Sequence, residues 1–286
     1  MAATASFEQS PAGQLSQATS IVLVLPLLVL LGFAFVIPVA KLLAGSVFAP
    51  SLTAEHWLRI VQEPIFMRIL LRTIETAVLV TALTFILGYP VAFVMARQGG
   101  RSAMLVAACV LIPLWTSVLV RSYAWIVLLQ RTGVINTLLL SAGLIDQPLR
   151  LIYTEGAVIA AMTHVLLPYM ILPVFSALRS IAPELDRAAR NLGAGPWTSF
   201  RLVILPLSLP GIYAGALMVF ILSLGFYITP ALVGGPQNLT IATLIGQQTT
   251  ELLNWPFAGA LAGLLLAVTL GFVALFRRFL SFGKIA

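Results

Sequence analysis

Residues 179–206 read RSIAPELDRAARNLGAGPWTSFRLVILP, a charged island between two long apolar runs. Ser180 stands where a helix cap belongs, and Pro183 suits a first helical turn. Glu184 and Asp186 complement the positive end of a helix dipole. Gly193 supplies a stop, because glycine accepts the left-handed backbone on which many helices end. Between these signals Leu185, Ala188, Ala189 and Leu192 fall at i, i+3, i+4 and i+7. They draw one narrow apolar stripe, with Arg187, Arg190 and Asn191 off it. Pro196 then opens a second helix through Trp197 and Phe200 into Leu205-Pro206. Two uses fit such a helix: lying flat at a membrane's headgroup boundary, or docking in the groove of a partner. The residues of the segment leave both open.

The flanking sequence decides the solvent. The 286-residue chain is 60% hydrophobic and 9% charged, where a soluble domain has about 45–50% apolar and about 25% charged residues. Sixteen basic and nine acidic side chains cannot coat a water-facing surface of this size. A soluble enzyme, a disordered tail and a nucleic-acid binder are excluded, and the net charge of +7 is spread over short spacers between apolar runs. A bilayer core of about 30 Å takes roughly 20 helical residues. Uncharged stretches of that length predict membrane helices at about 21–43, 73–96, 102–120, 156–178, 203–228 and 255–277. The uncharged run 202–250 is too long for one helix, and Thr229-Pro230-Ala231-Leu232-Val233-Gly234-Gly235-Pro236 breaks it. The chain therefore reads as a short segment 1–20 followed by one all-α membrane domain, 21–286, of six transmembrane helices, with the charged loop 179–201 between the fourth and fifth.

Six crossings put both termini on one side. With the termini inside, nine of the sixteen Lys and Arg fall on inner segments, and the loop after the fifth helix carries none. The positive-inside rule then places both termini, and the 179–201 loop, in the cytoplasm. The first twenty residues lack the basic start of a secretory signal, so the first helix is expected to be retained. Gly211, Gly215, Gly259 and Gly263 have the spacing for close helix contact.

Much chemistry is missing. No lysine is followed by Ser or Thr in a glycine-rich loop, so ATP cannot be held that way. Two histidines, His56 and His164, and the single Cys109 give no metal-ligand pattern, so no metal is expected. Polar groups at membrane depth often line a pathway, which singles out His164 beside Pro168. The further pathway candidates are the aromatics Tyr169, Phe226, Tyr227 and Trp255 and the span-end acids Glu75 and Glu251. Interhelical packing and solvated span ends explain the same residues without a pathway.

The 179–206 segment resembles the cytoplasmic EAA loop of binding-protein-dependent ABC importer permeases. That pattern runs E-A-A, three residues, G, nine residues, I-x-L-P. With Gly193 on its glycine, Ala188 and Ala189 fall on the alanines, Val203 on the isoleucine and Leu205-Pro206 on the last pair. Arg187 stands where the family has Glu; Glu184 and Asp186 lie close by to supply an acid. Leu87-Gly88-Tyr89-Pro90, Arg121-Ser122-Tyr123-Ala124-Trp125, Leu167-Pro168-Tyr169-Met170 and Asn254-Trp255-Pro256-Phe257 resemble the spermidine/putrescine-type subfamily. Arg72 departs from it, where relatives often carry Asn.

The resemblance implies a type I importer permease fold in a bacterial inner membrane, without enzymatic activity of its own. It implies a cytoplasmic ABC ATPase dimer that binds ATP and Mg, a second and different permease chain, and a periplasmic solute-binding protein. The coupling loop would comprise Glu184, Asp186, Arg187, Ala188, Ala189, Leu192, Gly193, Val203, Leu205 and Pro206. The implied solute is a polyamine or similar organic cation; opines, iron, phosphonates and amino-acid-like solutes use similar permeases. A membrane-embedded enzyme and a scaffold are the readings from other classes, and the EAA spacing weighs against both.

Overall fold

The computed structural model describes residues 17–48, 51–98 and 100–282, so most of the expected 1–20 segment and Lys284 lie outside the described residues. Helix α1 (Gln17–Leu31) passes through a wider turn at Gly32–Val36 into α2 (Ile37–Phe48). A short amphipathic α3 (Glu55–Gln62) precedes α4 (Pro64–Arg97). Then come α5 (Gly100–Trp115), α6 (Val118–Leu129), α7 (Val134–Ser141) and α8 (Glu155–Ser180). The charged island forms α9 (Pro183–Asn191) and α10 (Pro196–Ser199), and α11 (Leu205–Leu224) follows. The chain ends in α12 (Ile241–Thr250) and α13 (Trp255–Phe282).

Six helical stretches among the described residues are long and apolar enough to cross a membrane: Ile21–Phe48, Pro64–Arg97, Val118–Ser141, Glu155–Ser180, Pro196–Leu224 and Trp255–Arg277. The number agrees with the charge-free runs; some extents do not. The helix expected over 102–120 stops at Trp115, and the longer apolar stretch begins at Val118. Local polar groups cause the break. The Thr116 N–H and hydroxyl both donate to the Pro113 carbonyl, and the Ser117 hydroxyl accepts from the Leu119 N–H. Such bonds compete with the helical ladder. Helix α4 starts nine residues before Thr73, with Glu63 at the N-cap position and Pro64 in its first turn. Its 34 residues span about 51 Å at about 1.5 Å per residue, longer than a bilayer core of about 30 Å. Helix α11 ends at Leu224, so Phe226 and Tyr227 lie past its end rather than within it.

Helix α8 is the centre of the bundle, packed along α4 on one side and α11 on the other. Its buried face carries Met162, Leu166, Met170, Ile171 and Val174, each 0–1% exposed. Lipid tails are as apolar as these side chains, so close packing rather than water exclusion holds the helices together. Small residues make the approach possible. A Cβ on Gly211 would lie 2.5 Å from that of Ala177 and 2.6 Å from the Pro173 carbonyl oxygen. At Gly215 it would meet Met170, and at Gly259 the Leu42 backbone of α2. A second cluster joins α3, α4, α12 and α13 around Phe66 and Phe257, whose rings meet edge to face at 5.1 Å.

Candidate functional site: the coupling helix and the pathway residues

Helix α9 forms where the capping signals put it, with one exchange of parts. Ser180 is not its cap: that hydroxyl donates to the Ala177 carbonyl at the end of α8. Ala182 takes the N-cap position, and Pro183 the first turn. At the other end Gly193 has φ +88. Its N–H donates to the Arg190 carbonyl, and the Ala194 N–H to that of Ala189. Open space surrounds the missing side chain, so only the left-handed backbone demands glycine here.

The burial of α9 runs against its apolar stripe. Leu185 is exposed, Leu192 is 89% exposed, and Ala188 is exposed with Ala189 half-buried. Glu184 and Arg187 also face outward. The buried residue is Asp186. Its carboxylate accepts from the Ser199 hydroxyl of α10, from Nη1 of Arg97 at 3.3 Å and from Nε of Arg190 at 3.4 Å. The Ser199 hydrogen bond, ahead of the two arginines, holds the Asp186 carboxyl below the usual carboxylate range. Asp186 therefore ties α9 to α10 and to the far end of α4, and Glu184 is the acid left free.

An aromatic train continues inward. The Trp197 ring stacks on Phe200 at 5.4 Å, and Phe200 meets Tyr89 and Phe93 of α4 edge-on at 5.9 and 5.8 Å. The Tyr89 hydroxyl and Ser208 of α11 share a hydrogen bond of 3.0 Å. Phe200–Ile204 forms a wider helical turn with Val203 half-buried, and Leu205 and Pro206 begin α11. Phe93, Arg97, Asp186, Trp197 and Phe200 border a cavity of about 560 Å³ at this end. Packed groups thus connect α9 and α10 to both α4 and α11.

The pathway candidates divide into two places. Tyr227 and Glu251 line one pocket of about 190 Å³ between residues 230–239 and α12. Glu75 lines a neighbouring pocket of about 580 Å³ with Arg68 and Arg72, and both pockets share Pro236 and Leu239. Trp255 opens α13 nearby in sequence and is exposed. His164 lies elsewhere. Its Nδ1 accepts from Nε1 of Trp125 at 3.2 Å, and it borders an apolar pocket of about 370 Å³ with Pro113 and Pro168. Tyr169 and Phe226 are half-buried against the main core.

Residues 88–281 match the family described as binding-protein-dependent transport system inner membrane component. The chain belongs to this family. It is a permease subunit of an ABC importer, a multi-pass protein of the inner membrane. The spermidine/putrescine transport system permease protein PotB of Escherichia coli is 34% identical over 223 residues, covering 78% of this chain and 80% of that protein. The inner membrane ABC transporter permease protein YdcU of Escherichia coli is 36% identical over 241 residues, 78% of this chain and 76% of that protein. The fold matches a chain of a bacterial alginate ABC transporter with a TM-score of 0.74 at 18% identity, covering 91% of this chain and 93% of that one.

In this permease, sequence reasoning passed over three polar residues. Arg97 was counted only as an inner charge, and Ser199 not at all, because their partner Asp186 lies 89 and 13 positions away. Arg121 is 8% exposed, with Nη1 on the Val165 carbonyl at 3.4 Å and a buried Nε without a partner. The signal for Arg121 was present: it is an arginine one turn into an apolar helix.

Proposed function

We propose that this permease forms half of the translocation pathway of an importer for a polyamine, spermidine or putrescine, or a similar organic cation. The observation that carries the reading is the exposed α9 stripe held on a buried, three-point carboxylate. A helix with Leu185, Ala188 and Leu192 facing outward and its one buried acid bonded inward is built to be pushed by something else. The occupant is the ATPase dimer, which binds ATP and Mg; this chain supplies no nucleotide site and needs no cofactor. Both termini and α9 lie in the cytoplasm, while residues 230–240 and the Glu75, Tyr227 and Glu251 pockets face the periplasm and its solute-binding protein. A second permease chain completes the pathway.

Coupling follows from differential binding. ATP favours the closed ATPase dimer, and the permease state that fits that dimer is populated at the expense of the other. The Asp186 contacts and the aromatic train carry the displacement from α9 into α4 and α11. The similarity to PotB supports the cationic solute, as do the carboxylates at the mouth. The test is thermal stabilisation of the cognate binding protein, with putrescine and spermidine compared against anionic and neutral solutes. A rise in Tm with the amines alone is expected. A rise only with an anionic or neutral solute refutes the substrate assignment and leaves the permease assignment standing.

A further inference from the structure

We propose that the pocket between residues 230–239 and α12 is a binding site for the terminal primary ammonium of an organic cation, held by the Glu251 carboxylate, the Tyr227 ring and the Gln247 amide. The proposal rests on the cationic-solute reading above and names the place on this chain where that charge is received.

Glu251 stands at the C-terminal end of α12. Helix ends of this polarity favour Lys or Arg, because the last carbonyls already concentrate negative potential. Here a carboxylate adds to that potential, and no ion pair among the described residues involves it. Two residues on, Leu253 adopts φ +52, a backbone that side chains other than glycine seldom accept. Local preference is thus overridden twice within three residues, as happens where a site constrains the chain. No Lys or Arg lines the pocket itself; Arg68 and Arg72 line the neighbouring one, beside Glu75.

The Cε2–Cζ edge and hydroxyl of Tyr227 pack against α12 at Gly246, where an added Cβ would collide with them. An aromatic ring in the same pocket wall as a carboxylate complements it for an ammonium group. The opposite wall is pinned from several helices. Arg72 of α4 donates to the Gln237 carbonyl, and Asn238 Nδ2 donates to the Gly234 and Tyr153 carbonyls at 2.8 and 3.2 Å. Ser122 of α6 and Thr229 share a hydrogen bond of 2.8 Å, and the Ile241 N–H donates to Thr73 Oγ1 at 3.0 Å. A wall held this way loses little freedom when a ligand arrives. The volume of about 190 Å³ equals about six water molecules. It takes an ammonium head and a few methylenes against Pro230, Pro236 and Leu239, while the rest of the solute stays in the mouth.

The test is equilibrium binding of radiolabelled putrescine to the solubilised complex of both permeases and the ATPase, with the binding protein left out. Glu251→Gln is expected to weaken binding about tenfold, the loss of one charge-assisted contact, and Glu251→Asp to restore most of it. Tyr227→Ala is expected to weaken it too, and Tyr227→Phe to leave it near wild type. Unchanged binding in Glu251→Gln overturns the proposal. So does a Glu251→Gln defect seen only when the binding protein is present, which makes Glu251 a docking contact instead. A binding protein that takes no amine sinks the cationic-solute reading first, and that is measured separately.

Discussion

Replacing Asp186 by asparagine tests the link between the docking helix and the membrane bundle. The carboxylate is nearly buried and bonded at three points. A hydrogen bond to a charged group contributes about 1.5–3 kcal/mol, which is the share of Ser199. The Arg97 and Arg190 side chains are 32% and 52% exposed, so each ion pair adds about 0–1 kcal/mol after solvent screening. Complete removal by Asp186→Ala therefore costs the local structure about 1.5–5 kcal/mol, and Asp186→Asn, which keeps shape and one acceptor, about half of that. The loss falls on α9 and α10 rather than on the α4–α8–α11 core. Hydrogen exchange over residues 183–199 in the solubilised transporter should accelerate, with α8 unaffected. Uptake per ATP hydrolysed should fall. Ser199→Ala combined with Asp186→Ala should cost clearly less than the two singles together, because both remove the same bond. The acid carries a sign as well. Its folded pKa is depressed, so its contribution is complete at neutral pH and is lost as pH falls through the folded value. Exchange that is unchanged in Asp186→Asn, or additivity within about 0.5 kcal/mol in the cycle, refutes the link.

Gly193→Asp should uncouple transport while leaving the protein in the membrane: there is room for the side chain, and only the φ of +88 opposes it, at about 1–2 kcal/mol. Uptake by that mutant at the wild-type rate removes the loop from the coupling path. Gly211→Val should lower the Tm of the solubilised permease, since a Cβ already meets Ala177 at 2.5 Å and overpacking costs about 1–3 kcal/mol; an unchanged Tm means α8 and α11 do not pack as described. Cysteines placed at 233–240 should react with impermeant thiol reagents added outside intact cells, and cysteines at 186–196 only after the membrane is opened. The opposite pattern inverts the proposed topology.

How far the sequence could be read depends on the range of the force involved. The Gly193 stop was legible because one residue's φ decides it. Five of the six spans were legible because a bilayer rejects charge over about 20 residues, which is a property of composition; the third, Val118–Ser141, carries Arg121 and Arg131 and is no charge-free run. The break at Thr116-Ser117 escaped the same test: the run 102–120 has no charge, and absence of charge shows where a chain can enter lipid, not where a helix must end. The Pro113, Thr116 and Ser117 cluster was the available signal, since hydroxyls that bond the nearby backbone compete with the helical ladder without any change in hydropathy. Asp186 shows the harder limit. Periodicity marked Leu185, Ala188 and Leu192 as the face to be covered, and the isolated permease leaves that face open and buries an acid instead. An acid goes inward only where its partners wait, and Arg97 waits at the end of a helix that runs about 51 Å before reaching it. That open stripe is what the proposed ATPase contact requires. The chain's own packing turns on a contact that periodicity has no means to register.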